Sequence, residues 1–294
     1  MGNILEFSKN PDRTITGKAE LNNEQFTVIK FLPAGDYSRS FIISSNGTEY
    51  LLKLLISKDK KNDSTYTSEY KTKATSRNEY NNLTTNPKTG KHRNFAKMRK
   101  KGIYIPEPYS LYEDIKVTDT DANFTETYCS GIRYEFIDTI NFDEFRNAKS
   151  TALIFEACHT LCKAVDCINK SGFYHMDLDE RNFIFDKHGH AWLVDFTGGF
   201  VVNQGILISD GYYKVCNDLA FDFYEKSKIK TGRDCEEVQA RSMVEFLKRA
   251  LEDTGIFNDI VLSKIYYSEK SPMKELRKEL LKKCSFTYRL RSFK

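Results

Sequence analysis

The sequence predicts an α+β protein of two lobes, with a small N-terminal antiparallel sheet and a larger, mainly helical C-terminal part. Two observations predict it. Strand-like segments crowd the first half of the chain and helix-like segments the second, and the apolar spacing changes after Ile137 from the alternation of strands to a helical repeat. The boundary therefore falls at 137/138, giving units of 1–137 and 138–294.

Three strands are expected early: Phe26 to Leu32, Phe41 to Ser44 and Tyr50 to Leu55. Pro33 to Ser38 breaks the first pair, and Asn46-Gly47 is a hairpin signal because both residues tolerate positive φ. Tyr66 to Leu83 is polar with sparse apolar positions and reads as a helix. A basic insertion occupies about 84–101, with Pro87 and Gly90 marking a loop, a short helix following and Gly102 ending it. Strand character returns near Pro106 and Pro108 and again from Gly131 to Ile137. Leu153, Ile154, Ala157, Leu161, Ala164, Val165 and Ile168 then form an amphipathic stripe ending at Gly172. Phe183 to Phe185 and Ala191 to Val194 flank the Asp186-Lys187-His188-Gly189 turn as a hairpin. Helices follow at Leu219 to Tyr224, Glu236 to Leu251 and Met273 to Lys283.

Composition narrows the function classes. With 294 residues, 40% hydrophobic and 29% charged, the chain suits a globular enzyme with a sizeable core. No run approaches the ~18–20 apolar residues of a spanning helix, and the N-terminus lacks a charged and then apolar leader, so a cytoplasmic protein with no membrane partner is expected. Glu6 stands where a myristoylation signal needs Ser or Thr. Seven cysteines without a CxxC pair fit reduced buried thiols. A net charge of +4 does not indicate nucleic acid. The basic residues of the insertion, Lys88 to Lys101, read either as a solvated face or as a docking surface for an acidic partner.

The residues that carry chemistry run from His175 through Asp177 to Asn182, followed by Val194-Asp195-Phe196. Asp177 precedes Asn182 by five positions and Asp195 by eighteen. Both intervals match the catalytic loop and metal motif of protein kinases, and the chain resembles an atypical member of the protein-kinase-like superfamily. Lys101-Gly102-Ile103-Tyr104-Ile105-Pro106-Glu107-Pro108 is similar to a stretch of RIO-type atypical kinases. The single-glycine turn Ala34-Gly35-Asp36-Tyr37-Ser38 resembles the phosphate loops of aminoglycoside and choline kinases.

That resemblance implies the two-lobed kinase-like fold and the use of ATP and Mg²⁺. Asp177 would orient the acceptor hydroxyl and receive its proton, Asn182 and Asp195 would offer hard oxygens to Mg²⁺, and His175 would support the loop. Lys53 would bind the α- and β-phosphates, held by Glu79. Gly35 and Ser38 would approach the phosphates, and Glu135 and Ile137 would hold adenine through their backbone, with Tyr134 at the gate. Asp218 would either brace the catalytic loop or cap a helix.

The sequence departs from conventional protein kinases in three respects. Asp179 stands where serine/threonine kinases carry lysine, with Arg181 available to supply charge. Leu51 replaces the small residue above adenine. Nothing after Thr197-Gly198-Gly199 reads as the motif that closes an activation segment. The expectation is transfer of the γ-phosphate of ATP to a hydroxyl, with protein Ser or Thr favoured, a small-molecule acceptor as the alternative, and a pseudokinase binding module as the third.

Overall fold

The computed structural model describes residues 2–9, 15–32, 38–55, 69–119, 124–140, 142–148, 150–197, 200–203, 206–208, 231–251 and 271–291. The chain forms two compact units, Met1–Thr84 with Pro106–Ile137, and Thr85–Ile105 with Asp138–Lys294. The basic insertion thus clusters with the second unit.

In the first unit, β1 (Ile4–Lys9), β2 (Ile15–Leu21), β3 (Glu24–Phe31), β4 (Ser38–Ser45) and β5 (Thr48–Leu55) precede the helix α1 (Glu69–Thr84). The strands β6 (Pro108–Asp119) and β7 (Phe124–Glu135) complete it. The seven strands close into a barrel in the order β1-β2-β3-β4-β5-β7-β6. All neighbours are antiparallel except β1 and β6, which run parallel with Ile4 opposite Lys116 and Phe7 opposite Asp119. Alternate side chains fill the interior: Leu5 and Phe7 from β1, Ala19 and Leu21 from β2, and Leu52 and Leu54 from β5. Phe41 anchors them, its ring 5.3 Å from that of Phe7 and 5.1 Å from that of Phe31.

Two hairpin turns use positive φ. Asn22 and Asn23 lie at 50° and 65°, and Asn46 and Gly47 at 51° and 76°, the twist that suits two-residue turns. Gly17 faces Phe7 across β1 and β2, where a Cβ would run into the backbone of Glu6 and Phe7.

This architecture corrects the expected fold. The N-terminal sheet is not a small antiparallel one; it is a closed, mixed seven-stranded barrel. The reason lies in residues 4–21, which supply two further strands whose inward apolar residues complete the core and cover the edges of β3 and β6.

Among the described residues, the second unit joins five helices to six short strands. It holds α2 (Phe95–Lys100), α3 (Phe142–Ala148), α4 (Thr151–Lys170), α5 (Gly232–Ala250) and α6 (Pro272–Arg291). Beside them run six strands: β8 (Thr139–Ile140), β9 (Phe173–Tyr174), β10 (Phe183–Asp186), β11 (Ala191–Leu193), β12 (Phe200–Asn203) and β13 (Ile206–Ile208). They form two three-stranded sheets, β11-β10-β8 and β13-β12-β9. Among the described residues the chain has six helices against thirteen strands, so a two-lobed kinase fold with a helical C-terminal lobe is not what forms.

Several local expectations correspond to elements. α4 starts at Ser150, whose hydroxyl accepts from the Leu153 N–H, and Gly172 follows it at a φ of 82°. Leu153, expected in the apolar stripe, is exposed, whereas Phe155, Cys158 and Cys162 are buried. α5 carries a full capping box between Thr231 and Asp234. The helix expected at Leu219 to Tyr224 lies outside the described residues. Among the described residues, no helix is long and apolar enough to cross a membrane.

Candidate active site

Each unit carries its own part of the predicted constellation. In the first, strand alternation sets the position of Lys53. Leu52 and Leu54 point into the barrel, so Lys53 points out of it, towards α1. α1 is fixed to the wall by a buried hydroxyl pair, Ser76 Oγ to Ser130 Oγ at 2.7 Å. Glu79 on this helix meets Lys53, with Nζ 3.3 Å from Oε1 and 3.5 Å from Oε2. The Tyr134 hydroxyl, from β7, donates to Glu79 Oε1 at 2.6 Å. Lys53 is 8% exposed and Glu79 only 4%, so the pair is desolvated.

The other nucleotide-site candidates of this unit are placed less tellingly. Ser38 opens β4 opposite Leu55, and Gly35 lies outside the described residues. Glu135 and Glu107 hold each other. The Glu135 N–H donates to the Glu107 carbonyl at 2.9 Å, and the Glu107 N–H donates to Glu135 Oε2 at 3.2 Å. The Glu135 N–H is therefore engaged within the chain, and Ile137 lies two residues past the end of β7.

The second unit gathers the remaining candidates. His175 is fully buried, with Nε2 2.8 Å from the Val194 carbonyl and Nδ1 accepting from the Asp177 N–H at 3.3 Å. The two contacts assign the neutral tautomer with the proton on Nε2. The Phe196 ring packs edge-on against the imidazole at 4.8 Å. His175 thereby ties the loop before Asp177 to the strand end before Asp195. Asn182 adds a second tie, donating through Nδ2 to Asp177 O at 2.9 Å and to Asp177 Oδ2 at 3.0 Å. A third runs from the Val194 N–H to the Asn182 carbonyl at 3.0 Å. Both Met176 and Asp195 adopt positive φ, 63° and 58°, conformations that non-glycine residues keep only when their surroundings impose them.

Two features set the electrostatics. Burial raises the Asp179 carboxyl, but hydrogen bonds from the Arg181 backbone and side chain, with the charges of Arg181 and Arg249, outweigh it and hold the group below its ordinary value. Arg181 Nε donates to Asp179 Oδ1 at 2.9 Å, and this contact, with smaller contributions from the charges of Asp177 and Asp195, raises the guanidinium. Asp186 organises the β10–β11 turn, accepting from the His188 and His190 N–H groups at 2.9 Å each, from His190 Nδ1 at 2.8 Å and from Trp192 Nε1 at 3.0 Å. Burial opposes its ionisation, yet these donors keep it below the usual carboxylate range.

Among the described residues, no group of three or more His, Cys, Asp and Glu is arranged to hold a metal. The predicted pair is instead one amide and one carboxylate. Because Asn182 spends its Nδ2 protons on Asp177, its side-chain carbonyl is the end left to accept. Asp195 is exposed, its Oδ1 accepting from Thr197 Oγ1 at 2.7 Å. Hard oxygens of this kind, few in number, suit Mg²⁺, which keeps several of its own waters.

The structure thus joins Lys53 to Glu79 and ties His175, Asp177, Asn182 and the Asp195 strand end together, each set within its own unit. Sequence reasoning missed the Tyr134 hydroxyl on Glu79, which no local pattern announces. It also missed the Asp186 cluster, whose signal was present: an aspartate opening a turn two and four residues before its N–H donors. Asp218 lies outside the described residues. No protein-family model matches the sequence, and comparison with curated proteins finds no match.

Proposed function

We propose that the chain is an ATP- and Mg²⁺-dependent phosphotransferase of the atypical kinase type, moving the γ-phosphate to a hydroxyl, with protein Ser or Thr the favoured acceptor. The observation that carries the reading is the Asp177–Asn182 clamp. A catalytic carboxylate must be held while it stays accessible, and Asn182 grips Asp177 by both backbone and side chain.

In this reading Asp177 orients the acceptor hydroxyl and receives its proton as the oxygen attacks. Asn182 and Asp195 would hold Mg²⁺, which neutralises phosphate charge when bound. Lys53, held by Glu79, which in turn accepts from Tyr134, would bind the nucleotide phosphates. His175 acts as a positioning residue through its link to Val194. A cytoplasmic setting belongs to the proposal and is supported by Cys158, Cys162, Cys167 and Cys235, all free thiols.

A second reading, transfer to a small-molecule hydroxyl, is favoured by one observation. Asp179 is committed to Arg181, so the position where protein kinases present a lysine carries a neutralised acid instead. ATP consumption with Mg²⁺, measured for the wild type and for Asp177→Ala with a protein acceptor and with a panel of hydroxylated metabolites, tests both. Turnover lost in the variant is expected, and the acceptor that supports it names the class. No turnover with any acceptor overturns the phosphotransferase and leaves a nucleotide-binding module.

A further inference from the structure

We infer that the basic insertion is a binding surface for the phosphate backbone of a nucleic acid. Between Glu79 and Glu107 the chain contains no Asp or Glu. What the structure adds is a division of labour among its cations. The two arginines turn inward: Arg93 donates through Nη2 to Ser171 Oγ at 2.7 Å, and the Arg99 guanidinium lies 5.7 Å over the Trp192 ring. Lys88, Lys91, Lys97, Lys100 and Lys101 are all exposed, and none forms an ion pair with a carboxylate among the described residues.

Their backbone is ordered rather than loose. Lys88 and Lys91 sit on a tight turn closed by the Thr85–His92 bridge and by the Asn86 N–H on the Lys91 carbonyl at 2.9 Å. Lys97, Lys100 and Lys101 follow at i, i+3 and i+4, which puts them on one face of α2 and its C-cap. Among the described residues, the surface is a set of lysines on an ordered backbone with no carboxylate paired to them.

The chemistry of that array selects the partner. Protein interfaces are enriched in arginine and aromatic residues and depleted in lysine, the reverse of this division. A helix that inserts into a membrane surface carries apolar side chains beside its lysines, and none of the exposed large hydrophobic residues lies between 85 and 105. A phosphate backbone needs only cations in series, and lysine meets it as a point charge without reading sequence.

Fluorescence anisotropy of the whole chain with a labelled single strand and with the matching duplex, from about 50 to 200 mM salt, tests the inference. With five phosphates neutralised, log affinity falls with log salt at a slope of about −4.5 on the duplex or −3.5 on the single strand. Replacing the five lysines with Gln flattens that slope and weakens binding at low salt on the order of 100-fold, whereas Lys97→Gln alone reduces the slope by about one. A control removes the same charge elsewhere, with Lys18, Lys30, Lys274, Lys278 and Lys282 changed to Gln, and retains the wild-type slope. Three results overturn the inference: no binding by the wild type at low salt, an equal loss in the control, or tighter binding of a poly-glutamate peptide than of either oligonucleotide. The last assigns the surface to an acidic protein.

Discussion

The Lys53–Glu79 pair of the first unit and Asp195 of the second differ in how far each is removed from water. The Lys53–Glu79 pair is desolvated and has the Tyr134 hydroxyl as a third member, whereas Asp195 is exposed and leans on Thr197, two residues away. Burial makes the pair part of the scaffold as well as part of any chemistry, because a lone charge left there keeps its desolvation penalty. Exposure spares the Asp195 carboxylate that penalty. The same kind of substitution should therefore read as instability at Lys53 and as lost binding at Asp195.

The sharpest way to break that contrast is Lys53→Met. Stranding the buried Glu79 carboxylate is expected to cost about 3–5 kcal/mol in urea-unfolding stability, much of it regained when Glu79→Gln is added. A cost under about 1 kcal/mol would mean that water relieves the charge and that the pair behaves as Asp195 does.

A smaller effect comes from α4. Burial, and then the charges of Lys163 and Arg277, hold His159 down to about 4, so this side chain is neutral in the folded state where an unfolded one is protonated. The unfolded chain binds more protons across that interval. Stability from this group is thus full above about 6.5 and falls as pH drops towards 4. Urea midpoints at several pH values in this window are expected to decline less for His159→Phe than for the wild type. Equal slopes would place the acid sensitivity of the second unit elsewhere.

The smallest structural effect belongs to Asp195→Ala, expected to change stability by no more than about 0.5 kcal/mol while abolishing Mg²⁺-dependent ATP binding in calorimetry. Retained binding would remove Asp195 from the site, and a large loss of stability would remove the contrast itself.

What the sequence showed was whatever depends on neighbours in the chain. Asn46-Gly47, the stop at Gly172, the stripe of α4 and the β10–β11 hairpin each rest on a few adjacent residues, and so does the five-residue interval of the Asp177–Asn182 clamp. Barrel closure does not. β1 offers Leu5 and Phe7 in a run of six residues interrupted by Glu6 and Ser8, too short to declare a face, and its parallel partner β6 is remote in sequence. The two-residue strands β8 and β9 owe their form to the neighbours they pair with. Lys53 and Glu79 were proposed from a resemblance, and their meeting depends on where α1 lies across the wall, which neither segment encodes alone.

Parallel closure also imposes a timetable. Ile4 must wait for Lys116, 112 positions later (116 − 4), before its outer edge is covered. At a synthesis rate of about 5–20 residues per second, that is on the order of ten seconds during which β1 and β2 present an unpaired border while the hairpin of β6 and β7 has yet to emerge. Such a border is a template for stray pairing between nascent chains. Ribosome-bound intermediates shorter than about residue 120 are the stage at which this barrel is most exposed to misassembly.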